Sequence, residues 1–256
     1  MTLSRAITPM PSAKQLYVGA VRAVHPLARA TGLLSWLQSS AKKHRFAHWL
    51  RSLFAIHDID GLIDLDVPWW TYRAIDETEA FLASRSKARV FEYGSGASTV
   101  WLAKRAGTVV SVEHDAGWHS LVQTRLAMAN SATNLSHILI EPLKVQAKTD
   151  SRYLSVKPGH NGLSFEDYAK SILDQDEAFD LIVIDGRARG ACLEHAVSRL
   201  KPDGLIVFDN SKRKRYRQSI AASGLAARHL AGLTPSLPYP DETTLLTFSP
   251  KRTAKT

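Results

Sequence analysis

Alternating apolar and amphipathic segments from Ala88 onward constrain the fold of this 256-residue chain more than any other feature. The fourth apolar segment, residues 179–185, is almost wholly apolar, as expected of a strand with both faces buried in a parallel sheet. Strands are predicted at 88–93, 108–113, 135–140, 179–185 and 204–209, with two more at 227–233 and 243–249. Together they predict an α/β fold: a doubly wound, Rossmann-like, mostly parallel sheet that ends in a C-terminal antiparallel strand.

Helical spacing of apolar residues fills the intervals between these strands. Helices are predicted at 71–84, 98–105, 117–130, 164–173, 190–200 and 212–222. Ser164 with Asp167 three residues later resembles a capping box, so the helix at 164–173 is predicted to start there. Residues 58–68 are predicted to form a loop.

The N-terminal part of the chain is basic and contains no acid before Asp58. Its apolar spacing from Lys14 to Ile56, broken by Pro26 and Gly32, predicts two or three short amphipathic helices. We therefore divide the chain into a basic helical N-terminal extension, 1–67, and a ligand-binding domain of alternating strands and helices, 68–256. The eight Lys and Arg residues before Asp58 nearly account for the formal charge of +9, so the sequence gives no specific nucleic-acid signal.

The extension has three interpretations. The favoured one is a lid over the ligand site; the next is contact with an anionic membrane surface through residues 1–56; the third is a cleaved transit peptide.

The most apolar stretch, 16–37, is interrupted by Arg22, Pro26 and Arg29 and predicts no transmembrane helix. One cysteine, Cys192, excludes an internal disulfide framework. The prediction is a cytoplasmic protein, with peripheral membrane association as its alternative.

A glycine-containing turn follows the first strand. Glu92, Gly94, Gly96 and Ser98 stand between that strand and the next helix, and Glu113 ends the second strand 17 residues beyond Gly96. A carboxylate at that position can accept both hydroxyls of a ribose. Thr99 replaces the third glycine of a dinucleotide loop, and the Lys of a phosphate loop is absent. Because Glu92 repels phosphates, the turn favours a cationic nucleoside ligand, and His114 and Trp118 are candidates to flank its adenine.

These residues, with Asp185 after the fourth strand and the segment 201–209 leading to Asp209, resemble class I S-adenosylmethionine-dependent methyltransferases over roughly 68–250. The resemblance implies that Glu92, Gly94, Gly96, Ser98, Glu113 and His114 bind S-adenosylmethionine. Ser98 departs from the family pattern, in which a glycine is common. A serine there can donate to the ligand carboxylate or cap the helix.

Carboxylates at the later strand ends suggest a metal. Asp185, Asp209 and Asn210 resemble the Mg²⁺ ligands of metal-dependent catechol-type and sugar O-methyltransferases, and they offer hard oxygen donors. Ala188 stands where the catechol-type lysine base is expected. Asp185 and His195 are the candidate catalytic residues, with His160 as a second candidate base. Alternatively, the Asp and Asn side chains cap helices and turns.

The basic residues near these strand ends remain open to two interpretations. Arg187 and Arg189 either bind an acidic substrate or lie in a solvated loop. The cations at 212–215 with Arg217 either edge the active site or form a solvated helix face.

The predicted function is Mg²⁺-assisted O-methylation of a small-molecule acceptor by S-adenosylmethionine. The alternatives are a metal-independent methyltransferase acting on nitrogen or a macromolecule, and an inactive methyltransferase-like binding module. A short-chain dehydrogenase is disfavoured: Tyr153 and Lys157 have the catalytic spacing, but Pro158 and Gly159 interrupt the helix that it requires.

Overall fold

The computed structural model describes residues 13–56, 58–128, 133–145, 148–155 and 157–249, and it has the predicted α/β architecture. The strands are β1 (Arg89–Tyr93), β2 (Thr108–Glu113), β3 (Leu135–Leu139), β4 (Leu143–Lys144), β5 (Leu163–Ser164), β6 (Phe179–Ile184), β7 (Leu200–Phe208), β8 (Ala226–Gly232) and β9 (Asp241–Thr247). The helices are α1 (Ala13–Ala30), α2 (Leu33–Ala41), α3 (Arg45–Ser52), α4 (Ile59–Asp64), α5 (Tyr72–Ala83), α6 (Ala97–Ala103), α7 (Ala116–Met128), α8 (Glu166–Lys170), α9 (Arg189–Ser198) and α10 (Lys214–Ala222).

Seven strands form the central sheet, in the order β3-β2-β1-β6-β7-β9-β8. The first five in this order run parallel, and β9 pairs antiparallel with both β7 and β8. The chain builds β1 to β3 outward, then returns to place β6 beside β1. This reversal creates a topological switch point between β1 and β6, the place where ligands bind in doubly wound sheets. The predicted fold class is confirmed.

Both faces of the sheet are covered by helices. One core holds Val90, Leu181 and Val207 with Trp70 and Trp101; the other holds Phe91, Ile182 and Ile206 with Phe179 and Phe208. All six residues of β6 are buried, which explains its continuous apolar sequence.

The N-terminal extension forms three helices before Ser52, and it turns at Gly32, which has φ 75°. Pro26 does not break the first of them, contrary to expectation: α1 continues through it. The extension is packed onto the main domain. Trp49 donates from Nε1 to the Leu237 carbonyl at 3.0 Å, and the Ser236 amide donates to Ser52 Oγ at 3.0 Å.

Two other local predictions were wrong. Residues 58–68 include helix α4, because Asp58 caps the Asp60 amide and Leu62 is buried in the core. Ser164 is not a helix cap; it pairs with Leu143 in the short β4–β5 ladder, and α8 starts at Glu166.

No helix among the described residues is long and apolar enough to cross a membrane.

Candidate active site

Two glycines meet at the switch point. Gly94 follows β1 and Gly186 follows β6. A Cβ added to Gly94 would lie 2.8 Å from both the Cα and the backbone nitrogen of Gly186. Gly94 also has φ 93°, a conformation that other residues rarely adopt. Gly96 differs: its φ is 174°, and the nearest atom to an added Cβ is 3.9 Å away. The two glycines of the turn therefore have different roles.

Glu92 lies inside the protein, directly beneath this turn. Its carboxylate is fully buried and accepts hydrogen bonds from Ser98 Oγ at 2.5 Å, Thr99 Oγ1 at 2.6 Å and Ser111 Oγ at 2.6 Å. Burial raises the pKa of Glu92 to about 7, and the three hydroxyl donors oppose that rise. Glu92 thus ties β1, β2 and the start of α6 together. The Ser98 hydroxyl, predicted to contact the ligand, is directed to Glu92 instead.

Glu113 lies at the end of β2 and holds the same turn from its other side. Its Oε2 accepts from the amide and the hydroxyl of Ser95, at 3.0 and 3.1 Å. Its Oε1 accepts from the amides of His114 and Asp115, and His114 Nδ1 lies 2.7 Å away. Burial raises the pKa of Glu113, but these bonds and the charge of His114 outweigh it and leave the pKa lowered. The carboxylate is therefore ionised at neutral pH.

A cavity of about 840 Å³ opens beside the turn and falls in the size range of small-molecule sites. Gly94, Glu113, His114 and Trp118 line one half of it. Trp118 donates from Nε1 to the Ser95 carbonyl at 2.7 Å, which fixes its indole against the turn. Trp69 also lines this cavity, and it was not predicted as a site residue although it begins the main domain. The structure thus brings Gly94, Glu113 and His114 together.

Asp185 and Asp209 end β6 and β7, and an arginine joins them. Arg189 donates from Nη2 to Asp185 Oδ1 at 2.6 Å, and from Nη1 to the Asp209 carbonyl. Its Nη1 lies 4.0 Å from Asp209 Oδ2. Burial, opposed chiefly by Arg189, raises the pKa of Asp185; burial and the nearby Asp185 raise that of Asp209 to about 8. The raised pKa favours the protonated form of Asp209.

These residues do not fit a magnesium ion. The Arg189 guanidinium carries positive charge where a cation shared by Asp185 and Asp209 would lie. Asp209 Oδ1 accepts from Thr243 Oγ1 at 2.8 Å, and the Asn210 amide donates to Asp241 at 3.0 Å. The geometry does not support the Mg²⁺ prediction for Asp185, Asp209 and Asn210.

The second half of the cavity is basic. It is lined by Lys157, Arg187, Arg189, Arg213 and Arg215, together with Asp185 and Asn210. Within the described part of the chain, Arg187, Arg213 and Arg215 form no salt bridge with a carboxylate. Arg187 Nε is buried without a hydrogen-bond partner. Two of the cations predicted at 212–215, Arg213 and Arg215, therefore face the cavity.

The two candidate histidines occupy different places. His160 lines the cavity and packs near His114 and Phe165, with ring centroids 5.7 Å apart in both cases. Burial and Arg187 lower its pKa, so its imidazole is neutral at pH 7. His195 lies on α9, where its Nε2 is 3.1 Å from the hydroxyl of buried Tyr153. It is not among the described residues that line this cavity.

Comparison with known proteins identifies the domain. Residues 91–211 match the family described as "Methyltransferase domain". Over these residues the chain is similar to methyltransferase domains, as its resemblance to class I S-adenosylmethionine-dependent methyltransferases predicts. The matched segment runs from β1 to the residue after Asn210, so it includes the glycine turn, Glu113 and both strand-end aspartates. The predicted resemblance is confirmed. A search of curated proteins returned no match.

Solved structures of O-methyltransferases share the fold of this chain. An O-methyltransferase from Bacillus cereus, in complex with S-adenosylhomocysteine, has 19% identity and a TM-score of 0.54 over 77% of this chain and 90% of its own. The O-methyltransferase TomG from Streptomyces achromogenes, involved in tomaymycin synthesis and solved with S-adenosylmethionine, has 17% identity and a TM-score of 0.52. That match covers 78% of this chain and 90% of TomG. At these identities the comparison establishes the fold alone.

Proposed function

We propose that this methyltransferase transfers the methyl group of S-adenosylmethionine to an oxygen of a small molecule. The observation that carries the proposal is the divided cavity: the glycine turn and Glu113 line one half, and a neutral histidine and basic side chains line the other. The names of the two O-methyltransferases of similar fold support oxygen as the acceptor. The cavity volume suits a cofactor beside a small acceptor.

The cofactor half is proposed to hold the nucleoside. Glu113 faces the cavity from the end of β2 and supplies acceptor oxygens for the ribose hydroxyls, in competition with its present donors Ser95 and His114. Trp118, fixed through its indole nitrogen, offers a flat apolar surface for the adenine. Gly94 and Gly96 leave room for the methionine part of the cofactor.

His160 is proposed as the general base. Methyl transfer from a sulfonium forms a carbon–oxygen bond and breaks the sulfur–carbon bond, and the acceptor hydroxyl must lose its proton. A neutral imidazole at the cavity wall can take that proton, whereas burial favours the protonated form of Asp209. Mg²⁺ has no part in this proposal, because Arg189 occupies the space between the two aspartates.

Formation of S-adenosylhomocysteine with a panel of hydroxylated acceptors tests the function. With an acceptor found, His160→Gln is expected to lower kcat about 100-fold or more without weakening S-adenosylmethionine binding. His195→Gln is the matched control, and its kcat should stay near wild type. A large loss in His195→Gln with none in His160→Gln would reverse the assignment. No product with any acceptor would favour the inactive binding module.

The N-terminal extension is proposed to close one end of the site. Ile56 and Trp69 line a second cavity, of about 210 Å³, together with Asp185 and Asp209. Deleting residues 1–56 is therefore expected to raise the acceptor KM while S-adenosylmethionine binding persists. An unchanged acceptor KM would contradict the lid.

The same extension is proposed to contact an anionic membrane surface. Leu27, Trp36 and Phe46 are each more than 60% exposed, and Arg29 and Lys42 are exposed on the same acid-free segment. Residues 1–12 lie outside the described part of the chain. Trp36→Ser/Phe46→Ser should lose cosedimentation with phosphatidylglycerol vesicles, and the control Met128→Ser should not. Equal sedimentation of all variants, or no sedimentation of the wild type, would refute the contact.

A further inference from the structure

We infer that the acceptor carries an anionic group, a carboxylate or a phosphate, which Arg187 binds with help from Arg215 in the basic half of the cavity. This inference rests on the proposed function, because it assumes that the cavity holds a methyl acceptor. It adds the chemical class of that acceptor. The anion site itself depends only on the side chains described below.

Arg187 is the centre of this site. It follows β6 directly after Gly186, and its Nε is buried with no hydrogen-bond partner among the described residues. An unpaired buried donor is destabilising, and more so when it is charged. Burial, followed by the charge of Arg189, lowers the pKa of Arg187. Both causes disfavour a positive charge there, and a bound anion would relieve both.

Three carboxylates that line the two cavities are already engaged with other groups. Glu113 accepts from backbone amides and contacts His114, and Asp185 accepts from Arg189. Glu194 lines a second cavity that adjoins the first, and it accepts a hydrogen bond from Arg152 at 2.6 Å. Among the described residues, no carboxylate therefore forms a salt bridge with Arg187, Arg213 or Arg215, although the charges of Arg187 and Arg213 act on Asp185.

The position of Arg187 joins two cavities. It lines the 840 Å³ cavity that holds the proposed cofactor half, and also a neighbouring cavity of about 350 Å³. Arg215 and Lys157 line both as well, and Ser155 and Tyr216 add polar groups to the second. An acceptor can thus place its hydroxyl near His160 and its anionic group toward the second cavity. A guanidinium donates two parallel hydrogen bonds to a carboxylate or phosphate, which suits this role.

Binding of inorganic phosphate to protein saturated with S-adenosylhomocysteine tests the site, because the cofactor's own carboxylate is then already bound. At constant ionic strength, phosphate should bind saturably, and Arg187→Gln should weaken it about tenfold or more. Arg217→Gln removes an exposed charge from the same helix as Arg215 without touching either cavity, and its affinity should stay within about twofold. Arg215→Gln, at an exposed position, provides a second variant if Arg187→Gln is unstable.

Equal phosphate affinity in wild type, Arg187→Gln and Arg215→Gln would overturn the inference, as would no binding at all. Saturable phosphate binding by a protein that makes no S-adenosylhomocysteine would instead refute the proposed function and leave the anion site standing.

Matched acceptors then separate the sources of the anion. Catechol is compared with 3,4-dihydroxybenzoate, and a free sugar with its phosphate. The charged member of at least one pair should have a kcat/KM about tenfold or more higher, and Arg187→Gln should remove the difference mainly through KM. Equal kcat/KM values within both pairs would contradict the inference.

Discussion

The two halves of the cavity differ in how their charged groups are paired. In the cofactor half, Glu92 and Glu113 each accept three or more hydrogen bonds from neighbouring residues. The basic half of the cavity, which we propose holds the acceptor, is called the acceptor half. There, Arg187 forms no salt bridge with a carboxylate of the described residues, and Asp185 shares Arg189 with Asp209. A fully bonded region is already organised for its ligand, whereas a region with unmatched charge gains stability when a ligand supplies the missing partner.

The largest expected effect distinguishes the two glycines of the cofactor half. Gly94→Ala should destabilise the protein by about 2–5 kcal/mol, because its Cβ would clash with the Gly186 backbone and φ 93° is unfavourable for alanine. Gly96→Ala should stay within about 1 kcal/mol of wild type, because its backbone is extended and uncrowded. Urea denaturation measures both. Equal losses would show that the turn does not need this close approach.

The next effect concerns pH and belongs to the acceptor half. The pKa of Asp209 is about 8 in the folded state, against about 3.9 for an unperturbed Asp. Between those values the folded state binds the extra proton, so stability falls as pH rises from about 4 through 8. Asp209→Asn keeps this position neutral and should flatten that part of the stability profile. The exposed control Asp176→Asn should keep the wild-type slope.

A wild-type slope in Asp209→Asn, measured by denaturation between pH 4 and pH 9, would mean that Asp209 is ionised throughout this range. The contrast between the two halves would then be weaker, because the acceptor half would contain one more negative charge beside Arg189.

The smallest expected effect is that of metal removal. Because Arg189 links Asp185 and Asp209, EDTA should leave the rate of S-adenosylhomocysteine formation within about twofold of the untreated enzyme. Addition of Mg²⁺ should not raise it. Loss of activity in EDTA that Mg²⁺ restores would show that Arg189 moves away and that Asp185, Asp209 and Asn210 bind the ion.

The difference between the halves also explains what the sequence could predict. Alternating apolar segments, the glycine turn and Glu113 are local patterns with a fixed spacing, so the sheet and the cofactor half followed from them. Helix α4 was missed because its stability comes from burying Leu62 in the core, a tertiary contact without a local signal. Short β4 and β5 likewise depend on pairing across the chain.

The acceptor half could not be predicted because its side chains come from distant segments. The sequence shows that Arg189 is a basic residue near Asp185. It does not show that Arg189 also contacts Asp209, 20 residues away. Glu92 was expected to face a ligand, and its burial depends on Ser111 on the neighbouring strand. Gly186 and Trp69 gave no spacing signal, because their roles arise from close approach in three dimensions.

The most direct test of the central claim is calorimetric titration of the wild type and Glu113→Ala with S-adenosylmethionine. The wild type should bind, and Glu113→Ala should bind about tenfold or more weakly, because the substitution removes the ribose acceptor and the anchor of Ser95. NAD, titrated in parallel, should not bind. Tight NAD binding without S-adenosylmethionine binding, or equal affinity of both proteins for S-adenosylmethionine, would contradict the role assigned to the glycine turn and Glu113.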